Sequence, residues 1–134
     1  MKIRKVAAVI LLNPAGEFLI MKRSSDKLIH PNLWGLPAGG VESEEDLIKT
    51  ATREVWEETG IKVSDLKQGL TISVKVPSAV QEVYYFLGKT DKIYVKLNSE
   101  NSEFKWVKPV DSLNYKFGVS KDHVKKVLKY FHLL

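Results

Sequence analysis

The sequence predicts an α+β domain built around a mixed β-sheet. Segments of strand type and two segments with helical spacing are interleaved along the chain, without the regular strand–helix alternation of a parallel α/β protein. We find no internal repeat and no long linker. With 134 residues, 44% of them hydrophobic, the chain has enough apolar material for one core but not for two. We therefore expect a single domain over residues 1–134.

The chain begins with two predicted strands, residues 4–12 and 17–23. Pro14 and Gly16 between them suit the second and fourth positions of a type I turn, which predicts a hairpin. The basic and then apolar start resembles a secretory signal, but the apolar run is short and no small-residue cleavage site follows it. No apolar run approaches the ~20 residues of a membrane span. We therefore expect a cytoplasmic protein without a membrane segment.

A polar loop over residues 24–32 and a glycine-rich, non-helical segment over residues 34–40 come next. A helix is predicted from Ser43 to Thr59, because Ser43 suits an N-cap and Gly60 a C-terminal stop. Glu44, Glu45 and Asp46 would then place negative charge in the first turn. The predicted apolar face of this helix consists of Leu47, Ile48, Ala51 and Val55.

The second half of the chain contains further strands and a closing helix. The predicted strands are residues 70–76, 82–87, 92–97 and 104–107, with a turn at Pro77-Ser78 between the first two. An amphipathic helix is predicted from Ser120 to about Phe131, with Val124, Val127 and Leu128 on its apolar side.

Three glutamates on the first predicted helix are the main indication of a functional site. Glu54, Glu57 and Glu58 share one face at helical spacing, and their charges repel each other by roughly 1 kcal/mol per pair in water. Such a face is either solvated or a cation site, and its position at the edge of the apolar stripe favours the cation site. Because the chain has no cysteine, its metal ligands would be oxygen or imidazole. Clustered carboxylates suit Mg²⁺ or Mn²⁺.

The same helix lies in a motif that resembles a known family. Gly39, then Glu45, then Arg-Glu-Val-Trp-Glu-Glu-Thr-Gly-Ile at residues 53–61 match the Nudix box (residues 39–61) at every specified position. The resemblance is to small MutT-like members. It implies an α/β/α sandwich around a central mixed sheet, and hydrolysis of a diphosphate bond in a nucleotide.

The resemblance also assigns roles to the residues of the box. It implies that Glu54, Glu57 and Glu58 bind the metal, that Arg53 orients a glutamate of the set, that the Gly39 carbonyl is a further ligand, and that Glu45 supports the helix or the metal shell. Glu103, shortly before Trp106, resembles a glutamate that small MutT-like members use as an extra ligand or base. A loop glutamate without a function is the alternative.

Substrate contacts are harder to assign from sequence. Lys22 and Arg23, at the end of the second strand, would reach phosphates if that end faces the cleft, or else form a solvated strand end. Trp34 would stack on a base, or pack in the core. Pro77, sixteen residues after the box, is similar to the proline that marks ADP-ribose pyrophosphatases.

The leading hypothesis is a Mg²⁺- or Mn²⁺-dependent pyrophosphohydrolase, with a nucleoside triphosphate as the favoured small-molecule substrate. Alternatives are an enzyme acting on ADP-ribose or dinucleoside polyphosphates, one acting on the 5′ end of RNA, and a module that senses a nucleotide without cleaving it. The chain carries a net charge of +5, although residues 42–58 hold seven acidic and two basic side chains. This balance suits a metal-binding segment in a protein that attracts polyanions. We expect a monomer or a homodimer.

Overall fold

The computed structural model describes residues 2–134. The strands are β1 (Lys2–Leu12), β2 (Phe18–Arg23), β3 (Trp34–Gly35), β4 (Ala38–Gly40), β5 (Lys67–Val76), β6 (Ala79–Lys89) and β7 (Asn101–Val107), and the helices are α1 (Leu47–Thr59), α2 (Pro109–Ser112) and α3 (Lys121–Tyr130). Among these described residues, no helix combines the length and apolar character needed to cross a membrane.

The strands form one mixed sheet that opens next to the first hairpin. β1 pairs in parallel with β6 along its whole length, but meets β2 at a single register pair, Leu12 with Phe18. Beyond that pair the two strands separate: β1 pairs with β4, while β2 pairs with β7 and β3, all antiparallel. The hairpin turn itself is as predicted, because the Gly16 N–H donates to the Asn13 carbonyl at 3.1 Å.

From residue 6 to residue 11, strand β1 is buried on both faces, as is typical of a central strand with helices on either side. Its residues 6–11 alternate between two apolar clusters, one packed against Val124, Val127 and Leu128 of α3 and the other against Ala51 and Val55 of α1. The layers are therefore helix, sheet and helix, which confirms the predicted α+β fold and α/β/α sandwich.

Helix α1 begins later than predicted. Its N-cap is Asp46 and not Ser43. The Asp46 side chain accepts a hydrogen bond from the Lys49 N–H at 2.8 Å. Glu44 has a φ of 64°, so the chain cannot already be helical there. No acidic residue lies in the first turn, and Ile48 is exposed. The predicted end is confirmed: Gly60 adopts a left-handed conformation, φ 73°, and its N–H bonds to the Trp56 carbonyl.

The predicted strand at residues 92–97 is wrong. This segment joins no sheet partner in the described chain; the Lys96 N–H bonds to the Thr59 carbonyl and the Ile93 carbonyl accepts from the Trp106 indole. Val95 is nevertheless buried in the cluster under α1. The apolar pattern therefore reflects packing of a coil. The other predicted strands exist: β1, β5, β6 and β7 are longer than predicted, whereas β2 begins one residue later, at Phe18. Helix α3 begins after the predicted cap, Ser120.

Candidate active site

Three carboxylates meet where the sheet opens. Glu54 and Glu58 stand one turn apart on α1 and are only 8% and 3% exposed. Glu100 approaches them from the turn before β7, so that one carboxylate oxygen from each residue lies within 4.8 Å of the others. Three negative charges this close, two of them buried, repel strongly in a medium of lowered dielectric.

Glu58 shows that the cluster suits a cation. Its Oε1 lies 3.5 Å from the Ala38 N–H, and its Oε2 is buried without a hydrogen-bond partner. Burial, followed by the neighbouring Glu54 and Glu100 carboxylates, raises the pKa of Glu58 well above its ordinary value. A carboxylate in this position is either protonated or paired with a positive charge. The oxygen donors fit a hard divalent ion such as Mg²⁺ or Mn²⁺.

Gly39 makes room for the carboxylate of Glu54. A Cβ built on Gly39 would collide with the Glu54 carboxyl group. A side chain at position 39 would therefore push the Glu54 carboxylate out of its present position. The glycine at this position of the box thus leaves room for the Glu54 carboxylate in this chain.

Arg53 holds the acidic residues of this region in position. Its Nε and Nη2 donate to the two oxygens of Glu45 at 2.6 and 3.0 Å, and Nη1 donates to Glu54 at 2.8 Å and to Glu57 at 3.0 Å. Nη2 also reaches the Gly40 carbonyl at 3.0 Å. The guanidinium thus ties α1 to the turn before it and to β4. Arg53 and Glu45 stand where a supporting pair is expected.

Glu57 does not join the cluster of three. Its side chain is about half exposed and accepts from Arg53 instead. Its backbone carbonyl accepts from the Asn98 side chain at 3.1 Å, and Asn98 Oδ1 in turn accepts from the Glu100 N–H at 3.0 Å. Through Asn98, the end of α1 therefore positions the segment that carries Glu100.

The structure places Glu100, and not Glu103, beside the helix carboxylates. Glu103 lies within β7 opposite Lys22 of β2, and the two side chains form an ion pair of 3.4 Å with Glu103 about half exposed. The reason is the strand boundary: β7 begins at Asn101, three residues before the predicted start, so the last glutamate ahead of the strand is Glu100. The asparagine and serine residues around Glu100 are typical of a surface loop, so the sequence alone did not single out this glutamate.

A cavity of about 330 Å³ extends from the cluster across the face of the sheet under α3. Its walls include apolar side chains of β1, β6 and α3, and Arg23, His30 and Trp34 also line it. Arg23 Nε donates to the Ile29 carbonyl at 2.8 Å, whereas Trp34 is half-buried, with its ring edge-on to Tyr115. Of the predicted substrate contacts, Arg23 and Trp34 therefore line this cavity.

Tyr85 and His123 form a polar pair within the same cavity. The Tyr85 hydroxyl lies 2.6 Å from His123 Nε2, and both residues line the space. Burial raises the pKa of Tyr85, and burial together with Lys126 lowers the pKa of His123. Both groups are therefore neutral near pH 7 and share one hydrogen bond.

This arrangement combines an acidic cation site with an adjoining, mostly apolar cavity large enough for a small organic group. A polyanion bound through a cation at the carboxylates would place the rest of the molecule in the cavity. The geometry suits chemistry on a phosphate chain attached to an aromatic or sugar group.

Comparisons with known proteins agree with this geometry. A family model described as NUDIX domain matches residues 1–128. Nucleoside triphosphatase NudI of Escherichia coli is 28% identical over 90% of this chain and 92% of its own length. The crystal structure of a MutT protein from Methanosarcina mazei superposes with a TM-score of 0.85, at 26% identity over 96% of this chain and 94% of that one. A C. elegans Ap4A hydrolase has a TM-score of 0.79 at 24% identity, covering 98% of this chain and 99% of that one, which shows likeness of fold.

Proposed function

Because this chain belongs to the Nudix family and is a hydrolase, we propose that it cleaves a diphosphate bond in a nucleoside triphosphate with the help of Mg²⁺ or Mn²⁺. The observation that carries the proposal is the cluster of Glu54, Glu58 and Glu100 at one end of a cavity of about 330 Å³. The similarity to a nucleoside triphosphatase and to a MutT protein supports a triphosphate over other diphosphate compounds.

The carboxylates supply the donors that the metal requires. Glu54, Glu58 and Glu100 would form the centre of the site, with Glu57 and the Gly39 carbonyl as further ligands. A divalent cation bound there neutralises charge on the phosphate oxygens and raises the acidity of water. The buried Glu58 oxygen, which has no hydrogen-bond partner, would be available to such a cation.

The other residues hold this arrangement and receive the substrate. Arg53 fixes the rotamers of Glu54 and Glu57, which keeps the ligand oxygens in place before substrate arrives. A carboxylate that coordination leaves free accepts the proton of the attacking water. Arg23 and Trp34 line the cavity and would contact the substrate. Lys22 contributes less, because Glu103 already neutralises it.

Turnover of a substrate panel tests the proposal. The purified protein is incubated with Mg²⁺ or Mn²⁺ and with nucleoside triphosphates, ADP-ribose, a dinucleoside polyphosphate or 5′-triphosphorylated RNA, and products are separated by chromatography. We expect release of a nucleoside monophosphate and pyrophosphate from at least one triphosphate, and none when EDTA is present. Binding without turnover of any compound would instead identify a nucleotide-sensing module.

A matched pair of variants links the activity to the cluster. Glu58→Gln should lower kcat by at least 100-fold, because the amide is a poor ligand for a hard cation. Glu44→Gln removes a nearby exposed carboxylate that lies in the turn before α1, and should leave kcat within twofold of the unaltered protein. Equal activities of the two variants would refute the assignment.

A further inference from the structure

Two polar side chains at the mouth of the cavity have no assigned role. Arg4 of β1 and Gln81 of β6 are register partners on neighbouring parallel strands, and both line the cavity. The ion pairs within residues 2–134 involve only Lys22 and Arg53 as cations, so Arg4 carries an unpaired charge there. Within the same residues, the Gln81 side chain makes no hydrogen bond. Tyr85, further along β6, is instead hydrogen-bonded to His123.

The guanidinium of Arg4 lies close to β4. It lies over Gly40, where an added Cβ would stand 2.7 Å from Nη2 and 2.9 Å from Nε. The preceding residue, Gly39, faces the Glu54 carboxylate on the opposite side of the strand. Arg4 therefore lies on the cavity face, one strand position from the residue that touches the acidic cluster.

The surroundings of Arg4 suit a base more than a phosphate. On the same face of the sheet its neighbours are Gln81, a neutral amide, and the apolar side chains of Val6, Val74 and Val83. The planar guanidinium can donate two parallel hydrogen bonds to the edge of a flat ring, and the neighbouring amide can both donate and accept. The valine side chains around them provide an apolar surface for that ring.

We propose that Arg4, with Gln81 beside it, selects the base of the nucleotide substrate. The guanidinium donates two hydrogen bonds to a base edge with two adjacent acceptors, O6 and N7 of guanine or O2 and N3 of cytosine. Adenine presents an amino group beside the ring nitrogens at the corresponding edges, so that a donor would face a donor. The inference rests on the proposed function and deepens it, since it names guanine and cytosine nucleotides as the preferred class.

Steady-state kinetics with GTP, CTP and ATP tests this selection. The unaltered protein should show a kcat/KM at least tenfold higher for GTP or CTP than for ATP. Arg4→Lys keeps the charge but loses the paired donors, and should bring the three values within about twofold of each other, mainly through KM. Lys5→Gln is the control, because it removes a positive charge from the neighbouring, exposed position on the other face of β1 and should leave the ratios unchanged.

Other outcomes overturn the inference. A base preference that persists in Arg4→Lys, or is absent from the unaltered protein, contradicts base selection by Arg4. An equal loss for all three nucleotides in Arg4→Gln, with unchanged ratios, would make Arg4 a phosphate contact instead. Gln81→Leu should also move the three kcat/KM values closer together, and ratios unchanged by this variant would contradict a role for Gln81 in base selection.

A binding measurement separates this inference from the proposed function. Calorimetry with the α,β-methylene analogues of GTP and ATP in the presence of Mg²⁺ needs no turnover. If the protein hydrolyses no nucleotide yet binds the GTP analogue at least tenfold more tightly, and Arg4→Lys abolishes that difference, the hydrolase proposal fails and base selection stands. If turnover occurs and the two analogues bind equally to both proteins, base selection fails and the hydrolase proposal stands.

Discussion

Arg53 donates two parallel hydrogen bonds to the Glu45 carboxylate, from Nε to Oε2 at 2.6 Å and from Nη2 to Oε1 at 3.0 Å. The pair joins α1 to the turn before it, and the third nitrogen, Nη1, is left to orient Glu54 and Glu57. One side chain thus connects the start of the helix to the carboxylates in its middle. The fork geometry matters because a lysine could reach only one of these partners at a time.

Arg53→Lys should lower kcat by about 10- to 100-fold while the fold remains intact. The ammonium keeps the charge but cannot hold Glu45 and Glu54 together, so the carboxylates lose their fixed rotamers. Steady-state kinetics and a thermal melt by circular dichroism check this together. Unchanged kcat with an unchanged melting temperature would show that the guanidinium fork does not position the site.

The Glu45–Arg53 pair also predicts how stability depends on pH. Hydrogen bonds from Arg53, then from the Glu42 backbone, lower the pKa of Glu45 from its ordinary value of 4.5 to about 2. Because the folded pKa is lowered, the carboxylate stabilises the folded state above pH 4.5, and this contribution is lost as the pH falls towards 2.

Urea denaturation of the unaltered protein and Glu45→Gln measures that contribution. The difference in unfolding free energy should be constant between pH 7 and about 5.5 and should shrink steadily below about pH 4.5. A difference at pH 3 as large as at pH 7 would contradict the linkage between this pair and stability.

Glu100 and Glu103 form a matched pair for mutation. Glu100→Gln should lower kcat by at least tenfold and raise the Mg²⁺ concentration needed for half-maximal activity, because it removes a carboxylate from the cluster. Glu103→Gln breaks only a half-exposed ion pair with Lys22, so kcat should stay within twofold. The reverse result would restore Glu103 to the role that its resemblance implies.

Gly39 and Gly35 provide a similar test of the steric argument. Gly39→Ala places a methyl group against the Glu54 carboxylate and should reduce kcat by at least 100-fold through a displaced metal ligand. Gly35→Ala meets nothing within 4 Å and should leave kcat within threefold. Activities are compared at saturating metal; similar losses in both variants would mean that the collision with Glu54 is not the cause.

The sequence predicted the fold class and the acidic helix, because both depend on local patterns. The apolar run lies entirely within β1, and the spacing of Glu54 and Glu58 lies entirely within α1, so each pattern can be recognised from one short segment of sequence. The N-cap at Asp46 was missed, because the left-handed Glu44 and the reach of Glu45 towards Arg53 depend on contacts outside the helix.

Long-range contacts account for the other differences. Glu100 lies 42 positions after Glu58 in the chain, and only the β2–β7 pairing and the Asn98 bridge bring it to the helix. The segment 92–97 has an apolar pattern because Val95 packs under α1, not because a sheet partner exists. Arg4 and Gln81 are likewise joined only by the register of β1 and β6.

Binding of Mn²⁺ to the carboxylate cluster tests the central claim most directly. Titration followed by electron paramagnetic resonance of free Mn²⁺ compares the unaltered protein with Glu58→Gln and Glu44→Gln. We expect the unaltered protein and Glu44→Gln to bind Mn²⁺ equally, and Glu58→Gln to bind it at least tenfold more weakly. Equal binding by all three proteins would contradict a metal site at Glu54, Glu58 and Glu100.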